Sequence, residues 1–178
     1  MHGQRIYQNE IGDYMKKEIR LLSLDCSTKC SGLAVWDNGK YKESHIIDMS
    51  NIKDVEERQK QMGLKLWKGL DYYSPSIVFI EDTYCHGNPE TQKKLNRIQG
   101  VVFTWCILNN AEFHCIMPSA WRKYIPDFPN GKGIKRQEQK NFSITYVTNN
   151  YGITPASDDQ ADAILIGEGA LRMYKEKA

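Results

Sequence analysis

The chain has 178 residues, 40% of them apolar and 26% charged, with 24 lysines and arginines against 22 aspartates and glutamates. That length suits one domain with a buried core, and no apolar run approaches the roughly eighteen residues needed to span a bilayer. The composition also excludes disordered and collagen-like classes, and a net charge of +2 does not by itself mark a nucleic-acid binder.

Residues 1–18 are polar without strong periodicity and are expected to form a loose arm, leaving 19–178 as a single folded domain. Ile19 to Asp25 (IRLLSLD) is an apolar run closed by a carboxylate. Ser31 to Ile47 holds two strand-like stretches around Asp37-Asn38-Gly39, where the Asn-Gly pair supplies the positive φ angles of a tight hairpin. Three antiparallel strands are therefore expected first. A helix from about Asp54 to Tyr72 carries an apolar stripe of Val55, Met62, Leu66 and Leu70 and is stopped by Pro75. Ser76 to Glu81 (SIVFIE) is a second apolar run ending on an acid. Pro89 then suits the first turn of a helix from Glu90 to Asn109. Glu112 to Pro118 reads as a short strand, SAWRKYI as a short helical piece and Pro126 to Gly133 as a flexible loop. Lys135–Asn149 and Ser157–Lys175 are the last two helices, so the whole is α/β in character.

Charge is unevenly placed: Thr83 to Lys140 holds nine Lys/Arg against four Asp/Glu, and Asp158, Asp159 and Asp162 stand together. A basic middle beside an acidic cluster suits a metal-dependent enzyme acting on a polyanion, or an ordinary solvated surface. The five cysteines are odd in number and the first 18 residues lack a signal-peptide core, which reads as free thiols in a reducing cytosol. Cys26, Cys30, Cys85, His86, His114 and Cys115 are donors that suit zinc. No pair of close-spaced ligand motifs builds such a site, and buried or incidental thiols are expected instead.

Asp25 and Glu81 each close an apolar strand, so they converge if those strands are parallel neighbours. In SDDQADAILIGEGA, Ser157 can cap a helix with Gln160 completing a capping box, which accounts for Asp158 and Asp159 as first-turn acids but not for Asp162. Asp162 shares a helix face with Asp159 or with Asp158, and like charges at that spacing favour a counterion. Convergent carboxylates suit magnesium or manganese better than zinc. Two such ions can stabilise both oxygens of a phosphoryl displacement without a nucleophilic side chain. The chain has no GxSxG, GxxxxGK[ST] or HExxH motif.

Taken in order, LLSLDCSTKCSGLAVWDNG, IVFIEDTY, KKLNRIQGVVF and DDQADAILIGEGA resemble the RuvC-type Holliday junction resolvases of the ribonuclease H-like superfamily, over roughly residues 19–175. The pattern Asp25, Ser27, Gly32 alone is shared with actin-like and sugar-kinase ATPases, whose two-domain architecture exceeds this chain. The resemblance implies a mixed five-stranded sheet with antiparallel first three strands, flanked by helices. It implies a site of Asp25, Glu81, Asp159 and Asp162 binding magnesium, with manganese as substitute and two ions per site, and it assigns the closing acid pair to Asp159 rather than Asp158. It places Lys135 near the active site as a catalytic residue expected to steady the scissile phosphate, and Tyr84 where opened bases of a junction stack. Lys123, Lys132, Arg136 and Lys140 are expected to contact the DNA backbone. The implied activity is cutting of four-way DNA junctions by a homodimer, to which the helix bearing Lys94, Leu95, Ile98, Val101, Val102 and Trp105 could contribute a face. Alternatives are a related nuclease for flaps, forks or RNA/DNA hybrids, and a catalytically silent nucleic-acid-binding protein.

Overall fold

The computed structural model describes residues 19–82, 88–131 and 133–177. The strands are β1 (Arg20–Asp25), β2 (Cys30–Asp37), β3 (Lys40–Asp48), β4 (Ile77–Glu81) and β5 (Glu112–Ile116), and they form one sheet in the order β3-β2-β1-β4-β5. β1 runs antiparallel to β2, and β2 to β3, whereas β1, β4 and β5 are parallel. The expected hairpin is present: Asn38 and Gly39 have φ of 53° and 75°, and Asp37 pairs with Lys40.

The central strands are covered on both faces, which is why they read as continuous apolar runs rather than as alternating ones. Leu22 and Leu24 of β1, with Val78 and Ile80 of β4, face α1 (Val55–Tyr73) and α2 (Pro89–Leu108). Leu21 and Phe79 face the opposite layer, built from a short α3 (Pro118–Trp121), a 3-10 turn (Arg122–Tyr124), α4 (Arg136–Tyr151) and α5 (Asp158–Lys177). Met62, Leu66 and Leu70 form the buried stripe of α1, while Val55 lies outside it and is exposed. Asp54 caps α1 by accepting from the Glu57 N–H, and Ser74, in the left-handed region, closes it before Pro75. The loop after residue 124 is pinned by buried Phe128, whose ring meets Trp121 and Phe142.

α5 positions the site. Its residues Ala163 to Ala170 are buried nearly all round, and it packs on β1 and β2 at two glycines. A side-chain carbon at Gly167 would lie 2.2 Å from Trp36 Nε1 and 2.5 Å from Ser23 Oγ. Those two groups form a buried relay, Trp36 Nε1 donating to Ser23 Oγ and Ser23 donating to the Ala163 carbonyl. At Gly32 the added carbon would lie 1.9 Å from the Asp159 carbonyl oxygen, so the first turn of α5 rests directly on β2. The N-terminus is held as well. Ser157 accepts from the Gln160 N–H, and the Gln160 side chain accepts from the Ala156 N–H while donating to Ser44 of β3. The capping partner is thus Ala156 where the reciprocal box would use Ser157, because the Gln160 amide also spans to the sheet edge.

Candidate active site

Asp25 and Glu81 stand one place beyond the parallel pair Leu24 and Ile80, at the carboxyl ends of neighbouring strands. Parallel strands lie about 4.8 Å apart, so the two acids are brought together by the sheet itself. Asp159 and Asp162, from the first turns of α5, complete the group across the sheet end. All four line one cleft of about 570 Å³ with Asp82, Asp158, Arg122, Arg136 and Lys140. Six carboxylates therefore face three cations in the same space.

The small polar residue after Asp25 has a structural task. Ser27 Oγ donates to the Cys30 carbonyl and accepts from the Lys29 and Cys30 N–H groups, and Ser31 Oγ closes the same turn on Ser27. From below, buried Arg58 of α1 donates to the carbonyls of Thr28 and Ile52. The backbone leaving Asp25 is thereby fixed by hydrogen bonds as well as by the burial of Cys26.

Glu81 accepts a 2.9 Å hydrogen bond from Nε1 of fully buried Trp121, and Arg122 Nη2 lies 3.8 Å from the same oxygen. Arg122 is further placed by its planar group lying over Trp121 and Phe128, at 5.1 and 5.3 Å from the ring centres, and by a 3.4 Å bond to Gln139. Burial and mutual repulsion hold the acids above the usual carboxylate range. Asp25 is raised furthest, by burial first and then by Glu81, Asp162 and Asp159. Glu81 is raised by burial, partly offset by Trp121 and Arg122. Asp162 is raised by burial, partly offset by Ser143 of α4 and by Arg122. Asp159 is raised by burial, partly offset by Cys30. Desolvation first, and then that pairing with Asp159, pushes the Cys30 thiol up to about 12.

Among the described residues no group of three or more Asp, Glu, His or Cys side chains is gathered tightly enough to form a finished metal cage. The four acids nevertheless present only oxygen donors, buried and close enough to repel one another, which is the donor chemistry that fits magnesium or manganese.

The remaining expectations divide by position. Arg136 and Lys140 line the cleft; Lys140 forms an ion pair with Asp158. Lys135, expected beside the active site, stands exposed at the N-cap of α4 and does not line the cleft, and Lys123 is exposed on the 3-10 turn, also outside the lining. Tyr84, Lys132, Cys85 and His86 lie outside the described residues. Cys26, Cys30, Cys106 and Cys115 are free thiols. Arg122 was not expected. Its signal in the sequence is its place directly after Trp121 in a segment too short to read as more than a helical piece.

Sheet order, strand directions and strand-terminal acids define a ribonuclease H-like α/β fold. No family model matches the chain. In sequence it is similar to the crossover junction endodeoxyribonuclease RuvC of Chlamydia caviae, 25% identical over 152 residues covering 82% of this chain and 88% of that protein. It is 24% identical over 140 residues to that of Alkaliphilus metalliredigens, covering 76% of this chain and 80% of the relative. Its fold matches Thermus thermophilus RuvC in complex with a Holliday junction substrate at a TM-score of 0.69 and 14% identity, covering 89% of this chain and 96% of the other. The yeast mitochondrial Holliday junction resolvase matches at 0.57 and 15% identity, over 89% and 80%. The chain is RuvC-like in both sequence and fold.

Proposed function

We propose that this chain is a divalent-metal-dependent endodeoxyribonuclease that resolves four-way DNA junctions as a homodimer. The observation that carries the reading is the cleft itself, where Asp25, Glu81, Asp159 and Asp162 converge from three elements with Arg122, Arg136 and Lys140 at their side. A phosphodiester does not enter a space holding six carboxylates and three cations unless further positive charge comes with it. Asp25, Glu81, Asp159 and Asp162 would hold magnesium or manganese, which when bound supply an activated water and stabilise the attacking and leaving oxygens.

The protein's own cations then orient the phosphate. Arg122 lies against the Trp121 and Phe128 rings and bonds Gln139, which sets its guanidinium beside Glu81, where it would grip phosphate oxygens. Lys140, paired with Asp158, offers a point charge from α4. Arg136, exposed at the start of α4, suits a backbone contact. The Trp121 hydrogen bond fixes which oxygen of Glu81 remains free to act. Tyr84 is proposed to stack on an opened base, and Lys123, Lys132 and Lys135 to add backbone contacts.

Ile98, Val102 and Trp105 of the face expected for a dimer are instead buried in the core, and homodimerisation accords rather with Phe103, Ile107 and Leu108 of α2, which are 48%, 59% and 66% exposed. Among the described residues no helix is long and apolar enough to cross a membrane. The test is cleavage of a synthetic four-way DNA junction, a linear duplex, a flap and an RNA/DNA hybrid, each with magnesium. Selective, symmetrical cutting of the junction is expected. Equal cutting of the hybrid, or binding without cutting of any substrate, would replace this reading with one of its alternatives.

A further inference from the structure

Asp158, like Asp82, is an acid of the cleft beyond the four proposed metal ligands. It is not needed to cap α5, since Ser157 already does so. Its carboxylate instead meets the Lys140 ammonium from α4, and both side chains are only about three-tenths exposed. Lys140 lies one turn before Ser143, which borders Asp162, so the ion pair spans the α4 to α5 wall of the cleft beside two proposed ligands. Asp158 also opposes the ionisation of Asp25, Asp159 and Asp162, whereas Lys140 favours that of Asp159.

We infer that Asp158 is a positioning residue that acts through Lys140, holding the ammonium at the rim of the cleft until a DNA phosphate takes its place. The inference rests on the junction-nuclease reading. It follows from exchange: a lysine already neutralised by a carboxylate must leave one anion to reach another, so the lost ion pair cancels part of what the phosphate contact gains. In the free protein the contact restrains DNA binding. Once phosphate has arrived it leaves Lys140 free to follow the charge that develops there.

The test measures junction affinity without magnesium, by fluorescence anisotropy across a salt series, for the wild type, Asp158→Asn, Lys140→Met and the double variant. Asp158→Asn should bind about 3- to 10-fold tighter near 0.1 M salt, with the slope of log K against log salt nearly unchanged because Lys140 meets the same phosphate in both, whereas Lys140→Met should lower that slope by about 0.9. In the Lys140→Met background the Asp158 change should lose most of its effect on affinity. An equal gain with or without Lys140 would mean that Asp158 merely repels DNA, and would overturn the inference. So would unchanged binding, or unchanged binding with a higher magnesium requirement for cutting, which would make Asp158 a ligand. Asp158→Ser serves as a second variant, with thermal melting checking that each folds. A wild type that neither binds nor cuts the junction would fail the nuclease reading itself, and is separable because it appears before any substitution is made.

Discussion

Gly32→Ala tests how the cleft is built. The new methyl carbon would lie 1.9 Å from the Asp159 carbonyl oxygen, 2.5 Å from its carbonyl carbon and 2.9 Å from the Ala163 methyl. The obstacle is backbone, so α5 or β2 must yield: opening the first contact from 1.9 Å to the 3.0 Å floor of real contacts demands about 1.1 Å. Overpacking of this kind costs about 1–3 kcal/mol, from which about 0.5 kcal/mol is recovered by stiffening the unfolded chain. For a domain of this size that corresponds to a melting point lower by roughly 2–8 °C. The effect on cutting should be larger, because Asp159 moves with the helix and a 1 Å error in a reacting geometry costs about 100-fold. The assays are thermal melting and single-turnover cleavage of a four-way junction at saturating protein and magnesium. Gly100→Ala is the control, since nothing lies within 4 Å of its new carbon, and it should be neutral or slightly stabilising. A Gly32→Ala protein with wild-type melting and wild-type rate would refute the claim that this contact sets the position of Asp159.

Asp25→Asn, Glu81→Gln, Asp159→Asn and Asp162→Asn should each abolish cutting by at least about 100-fold while junction binding, measured in calcium, is largely kept, because affinity resides in phosphate contacts spread over the surface. In metal-free buffer the raised pKa values of Asp25, Asp159 and Asp162 (ordinary value 3.8) and of Glu81 (ordinary value 4.5) mean that the native state binds more protons than the unfolded chain between the ordinary and raised values. Their contribution therefore falls as pH rises through that window, and the stability of Asp25→Asn relative to wild type, read from urea midpoints, should grow with pH and shrink when magnesium is added. Trp121→Phe removes the only indole donor on Glu81 among the described residues and should cost about 1.5–3 kcal/mol in urea unfolding, with a slower single-turnover rate that added magnesium does not restore.

The parts of this site that were legible in the sequence are those a single segment can announce. Asp25 and Glu81 ended apolar runs too continuous to be surface strands, and two buried parallel strands place their terminal acids side by side. Asp162 was legible because a capping box explained its neighbours and not itself. What the sequence hid depends on contacts between segments. Arg122 matters because Trp121 and Phe128 fold around it from different turns, and no periodicity marks that. Lys135 and Lys140 were distinguishable only once α4 was laid against α5, since the glycine-containing loop before them does not reveal which turn of the helix faces the acids. The Asp158 and Lys140 pair is of the same kind, and so is the reason for Gly32, whose pattern was visible long before its neighbour was.

The contact of Gly167 with Trp36 and Ser23 ties the active site to the last described helix. β1 delivers Asp25 early in synthesis, whereas the helix bearing Asp159 and Asp162 emerges after every strand of the sheet on which its glycine rests. A nascent chain therefore carries half of its acids on a sheet that has nothing to cut with. If the chain cuts junctions as proposed, the order of translation is itself a safeguard, because a chain that stalls before this helix lacks Asp159 and Asp162.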